Sequence, residues 1–75
     1  MENKVKQIIA DVLNVEVSEL NGNSSPDNID VWDSLNQMNI IVALEEGFNI
    51  MFSDEQIIEM LNIDLIILAV SEQVK

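Results

Sequence analysis

Apolar residues recur with a helical period near the N-terminus: Val5, Ile8, Ile9, Val12 and Leu13 fall at i, i+3, i+4, i+7 and i+8. This single stripe predicts an amphipathic helix over about Glu2 to Leu13, with Asn14 suited to end it. From Val15 to Asp33 the period breaks up around a cluster of turn residues, Asn21-Gly22-Asn23-Ser24-Ser25-Pro26-Asp27-Asn28. A loop of this length inside a small domain tends to be either disordered or functional. Val15, Val17, Leu20, Ile29, Val31 and Trp32 are scattered through it and are expected to pin it to the helices. A short turn is expected at Ser18-Glu19-Leu20.

A second helix is predicted from Ser34 to Glu46, with Gly47 as the residue that ends it. On a helical wheel its polar side is narrow: Asn36, Asn39, Ala43 and Glu46. The apolar arc from Ile40 through Leu44, Ile41, Met38 and Val42 to Leu35 covers roughly 220°, whereas one packed interface needs only about 100°. Either this helix is central, or part of its arc faces a partner, and Leu35 and Val42 border the polar side.

Ser53 and Gln56 have capping-box spacing, and Phe52 and Ile57 have staple spacing. A short third helix should therefore run from Asp54 to about Leu61. Asn62 can cap a fourth, with Leu61 and Ile66 again spaced as a staple. The apolar run Leu65 to Val70 fits a buried helix or a strand by periodicity. The cap before it and the want of a partner strand favour the helix. The fold class expected is thus all-α.

Seventy-five residues make one domain, 1–75, and at this size a core rarely contributes more than roughly 3–5 kcal/mol. The chain has no Cys and no His, which rules out a disulfide and disfavours a structural zinc site. Stability must come from packing that is mainly aliphatic, since 48% of residues are hydrophobic and the aromatics are one Trp and two Phe.

Fourteen acids against three basic residues give a net charge of −11. That charge argues against nucleic acid and anionic lipid as partners and for basic protein surfaces. The longest apolar run is far too short for a membrane span. Met1-Glu2-Asn3-Lys4 lacks the basic-then-apolar order of a secretory signal, so a cytoplasmic location is the default.

The chemistry-bearing candidate is Ser34 in Trp32-Asp33-Ser34-Leu35. The capping spacing of Ser34 and Gln37 makes Ser34 a possible helix cap, a role Asp33 fills equally well. Nucleophilic catalysis has no His or nearby Lys to act as base, and no glycine elbow. A hydroxyl at a helix N-terminus is a favourable place for an attached phosphate. Asp27, Asp30 and Asp33 do not match a calcium loop, so no metal site is expected.

These residues together resemble an acyl carrier protein. Asp33-Ser34-Leu35 is similar to the motif whose serine receives 4′-phosphopantetheine from coenzyme A, which makes Ser34 the expected attachment point. Val42-Ala43-Leu44-Glu45-Glu46-Gly47-Phe48 is similar to the family's second helix and its end, and Phe52-Ser53-Asp54-Glu55 to the start of its third. Val5-Lys6-Gln7-Ile8-Ile9 extends the likeness to the first helix.

The resemblance implies a four-helix acyl-carrier-protein-like bundle: three main helices, right-handed, plus one short helix, with a long loop between helices 1 and 2. It implies no enzyme activity of its own, and acyl groups carried as thioesters on a 4′-phosphopantetheine arm. Met38, Ile41, Phe48, Ile57 and Ile63 would wall an acyl pocket. Asp33, Leu35, Val42, Glu45, Glu46, Asp54 and Glu55 would meet partners.

Those partners would be a phosphopantetheinyl transferase and basic-surfaced loading and transfer enzymes acting on a monomer. Val31-Trp32 before Asp33, and Asn36 and Asn39 where fatty-acid carriers commonly have acids, look more like stand-alone carriers of specialised pathways. The rival readings are an aminoacyl or peptidyl carrier, and a small helical adaptor without a prosthetic group.

Overall fold

A computed structural model describes residues 1–74; Lys75, the last residue of the expected single domain, lies outside the described residues. Four helices follow one another: α1 (Glu2–Leu13), α2 (Ser34–Phe48), α3 (Asp54–Glu59) and α4 (Ile63–Gln73), with a 3₁₀ turn at Val17–Glu19 in the long α1–α2 loop. There is no strand among the described residues. The apolar run at Leu65 to Val70 lies within α4, whose Ile63, Ile66, Ala69 and Val70 are buried.

The stripe of α1 buries Val5, Ile9, Ala10 and Leu13, and α1 packs chiefly on α2. In α2 only Ile40, Ile41 and Leu44 are buried, an arc of about 100° on the wheel. Leu35, Met38 and Val42 form an apolar strip on the opposite side, and all three are exposed. The wide apolar arc is therefore divided between core and surface.

Several helix ends are set by local devices. Asn14 and Asn49 both take the left-handed conformation, φ 58° and 55°, and the N–H of the next residue returns to the helix: Val15 to Ala10 O and Ile50 to Glu45 O, each at 3.0 Å. Ser53 and Gln56 complete the capping box of α3, and the Asn62 side chain accepts the Leu65 N–H at 2.9 Å.

Two expected boundaries move. Gly47 does not end α2; it sits inside the helix, and Asn49 is the terminator. The glycine answers to packing instead, since a Cβ there would lie 2.8 Å from Ile8 Cδ1. The Gly47 carbonyl also accepts Lys4 Nζ at 2.8 Å. Helix α3 stops at Glu59 rather than near Leu61, because Met60 leaves helical geometry (φ −81°, ψ 66°) to bring Asn62 into the extended cap of α4.

The α1–α2 loop is held on both flanks. Leu20 and Trp32 are buried, and Val15, Val17 and Ile29 pack partly against the core. Val31 does not act as a pin: it is 46% exposed. The sequence pattern also missed two buried serines, Ser24 and Ser25. Their hydroxyls accept the N–H groups of Asn21 at 3.0 Å and Asp27 at 3.2 Å, which shapes the turn cluster. Loop carbonyls then serve α4: Ser24 O and Gly22 O accept the N–H groups of Ile63 and Asp64, both at 3.1 Å. These would otherwise be orphan donors of a helix start. Among the described residues no helix is long and apolar enough to cross a membrane.

Candidate functional site

The site is built around the start of α2. Asp33, in extended backbone, is the cap, and its carboxylate accepts the Asn36 N–H at 2.8 Å. Ser34 is thereby released from capping and stands exposed at the first helical position. The N–H groups of Ser34 and Leu35 have no acceptor within the helix, which leaves a patch of positive potential beside the hydroxyl.

Trp32 decides why Asp33 and not Ser34 caps. The residue is 1% exposed, and its indole N–H donates to Gln37 Oε1 at 2.6 Å. That bond takes Gln37 away from the reciprocal capping role its spacing suggested. Gln37 Nε2 in turn donates to the Met60 carbonyl at 3.2 Å, reaching the end of α3.

Beside Ser34 lies an open groove of about 720 Å³ between the start of α2 and the end of α3. Trp32, Met38, Ile57, Met60 and Leu61 give it apolar walls, with Asp27 and Asp33 among the residues lining it. Of the five side chains expected to wall an acyl pocket, Met38 and Ile57 line this groove. The other three stand elsewhere. Ile41 and Ile63 are buried in the core, and Phe48 lies under Lys4 Nζ, 4.7 Å from the ring centre.

Trp32, Gln37, Met60 and Leu61 were missed as wall residues. The signal for Gln37 was available: it lies at i+3 from Ser34, on the same face of the helix.

The expected partner-facing residues are mostly at the surface. Leu35 is 70% and Val42 48% exposed, and Asp33, Glu46, Asp54 and Glu55 are exposed acids. Glu45 is half-buried, and its carboxylate accepts the Phe52 N–H at 2.9 Å, so it ties α2 to the start of α3. Among the described residues no group of three or more acids is arranged to hold a metal ion.

The family profile described as a phosphopantetheine attachment site matches residues 3–70. A curated relative, an acyl carrier protein of Buchnera aphidicola subsp. Schizaphis graminum (strain Sg), is 41% identical over 56 residues, covering 73% of this chain and 70% of the relative. A solution NMR structure of holo acyl carrier protein from Geobacter metallireducens superposes with a TM-score of 0.87 at 27% identity, over 97% of this chain and 84% of that one.

Proposed function

Since the chain belongs to the phosphopantetheine-attachment family and is an acyl carrier rather than an enzyme, we propose that Ser34 is the residue that bears its 4′-phosphopantetheine arm. The observation that carries this is the division of labour between neighbours. Asp33 caps the helix, leaving the Ser34 hydroxyl exposed at the rim of an apolar groove. The adaptor reading, which has no prosthetic group, gives way to the family membership.

Attachment forms a bond from Ser34 Oγ to the pantetheine-side phosphorus of coenzyme A and breaks the pyrophosphate, releasing 3′,5′-adenosine diphosphate. The hydroxyl proton goes to a base of the transferase, because this chain offers no His or Cys. The residues present suit the product. Helix N–H groups lie beside the phosphodiester position, and the groove offers apolar surface to the cargo. When bound, the arm supplies the thiol on which an acyl group rides as a thioester.

A phosphopantetheinyl transferase and acyl-handling biosynthetic enzymes are the partners the family implies. The exposed strip of Leu35 and Val42, flanked by Glu45 and Glu46 and joined by Asp33, Asp54 and Glu55, is the proposed docking surface for basic partners. The charge of −11 supports fast, weak encounters with such surfaces and a monomeric carrier.

We also propose, from Val31-Trp32 before Asp33 and from Asn36 and Asn39, a carrier of a specialised pathway. Asn36, which stands where fatty-acid carriers commonly have an acid, donates its Nδ2 to Val31 O at 2.6 Å, a task a carboxylate does not perform.

Intact mass after incubation with coenzyme A and a broad-specificity transferase tests the attachment. One arm on the native chain and none on Ser34→Ala is the expected result. No arm on the native chain, or an arm on Ser34→Ala, overturns it.

A further inference from the structure

Helix α3 has only six residues, too short to persist without tertiary support, so what fastens it matters to the groove it borders. It packs against α4 and is tied to α2 near both ends. Glu45 holds the segment entering it through Phe52 N–H, and Gln37 holds the Met60 carbonyl just past its end. Only the second tie crosses the groove beside Ser34, and Gln37 itself lines that groove.

The orientation of the Gln37 amide follows from its partners. Indole Nε1–H is a donor only, so the amide oxygen must face Trp32. The NH₂ then faces Met60 O, which is an acceptor only. The Trp32 bond measures 2.6 Å and the Met60 bond 3.2 Å. One amide thus joins the loop before α2 to the end of α3.

We infer that Gln37 is a positioning residue for the cargo: strapped between Trp32 and Met60, it holds the end of α3 across the groove and sets how readily an acyl chain leaves water for the apolar wall. The inference rests on the carrier reading. A chain settling between Met38 and Ile57 lies against the end of α3, and the Gln37–Met60 bond is the one that opposes outward movement of that end. The cargo is then an acyl chain with an aliphatic portion, matched to the Trp32, Met38, Ile57 and Met60 surface.

Two variants separate the two halves of the strap. Gln37→Glu keeps an acceptor for Trp32 but offers Met60 no donor, while Gln37→Leu removes both bonds. In the full-length protein without the arm, amide hydrogen exchange at Ile57 to Leu61 should quicken about fivefold in both variants, the factor one ordinary net hydrogen bond represents. Exchange in α1 should stay unchanged. With an octanoyl arm loaded by a transferase, hydroxylamine should cleave the thioester more slowly in both variants, by a similar factor, because the groove admits the chain more readily.

Unchanged exchange in α3, an equal rise in α1, or cleavage at the native rate or faster overturns the inference. If the transferase adds no arm to the native chain, the carrier reading fails separately. The exchange measurement on the bare protein still decides whether Gln37 straps α3.

Discussion

The Glu45 carboxylate accepts the backbone N–H of Phe52 at 2.9 Å, so an acid expected to serve partners also fixes the entry to α3. The two roles separate by substitution. Glu45→Gln keeps an acceptor oxygen and removes the charge: thermal stability should hold while affinity for a basic partner enzyme falls. Glu45→Ala should lose about 1 kcal/mol as well. Denaturant unfolding of both variants checks this, and equal destabilisation by the two would contradict it.

Capping and attachment sit on adjacent residues. Asp33→Ala should cost about 1 kcal/mol of stability, the usual loss of a side-chain cap. Ser34→Ala, at an exposed position outside the cap, should change stability by less than about 0.5 kcal/mol. If Ser34→Ala proves the more damaging in urea melts, the assignment of the cap is wrong.

The end of α2 makes an unusual comparison of Asn with Gly. Asn49→Ala forces a Cβ-bearing residue without a compensating side chain into φ 55°, and should cost about 1 kcal/mol. Gly47→Ala gains about 1 kcal/mol of helix propensity against displacement of the flexible tip of Ile8. The melting temperature of Asn49→Ala should therefore lie below that of Gly47→Ala. The reverse order would return the terminating role to Gly47.

The exposed strip gives a docking test. Leu35→Ala and Val42→Ala should weaken binding to the transferase while leaving the fold intact, because neither side chain belongs to the buried core. Surface plasmon resonance with the transferase, beside circular dichroism, reads both. Native affinity in both variants would remove the strip from the docking surface.

A net charge of −11 on a chain this small opposes compaction through self-repulsion. Raising sodium chloride from about 10 to about 150 mM shortens the screening length from about 30 to about 8 Å, and the melting temperature should rise with it. A fall, or no change, would show that the acids are not mutually destabilising.

What the sequence revealed about the fold followed the range of the interactions. The start and end of α1 and the caps at Asn14, Ser53 and Asn62 depend on residues a few positions apart, and each was legible. The role of Gly47 was not, because it depends on Ile8, a residue on another helix. The choice between Asp33 and Ser34 as cap turned on Trp32 recruiting Gln37, a bond that local spacing does not encode. Of the apolar residues that line the groove, local spacing alone singles out none as its wall, for the same reason. Met38 and Ile57 were expected from the family resemblance, whereas Met60 and Leu61 border the groove where α3 stops at Glu59.

The placement of Trp32 gives this protein a reporter of its own. It is the chain's single tryptophan, closed off from solvent and forming part of the wall a guest chain would touch. Its emission needs no added dye to register whether that wall faces an empty groove or a hydrocarbon, so the difference between bare and loaded forms is open to an ordinary fluorimeter. A shift on loading would show that the guest repacks the side chains around this indole.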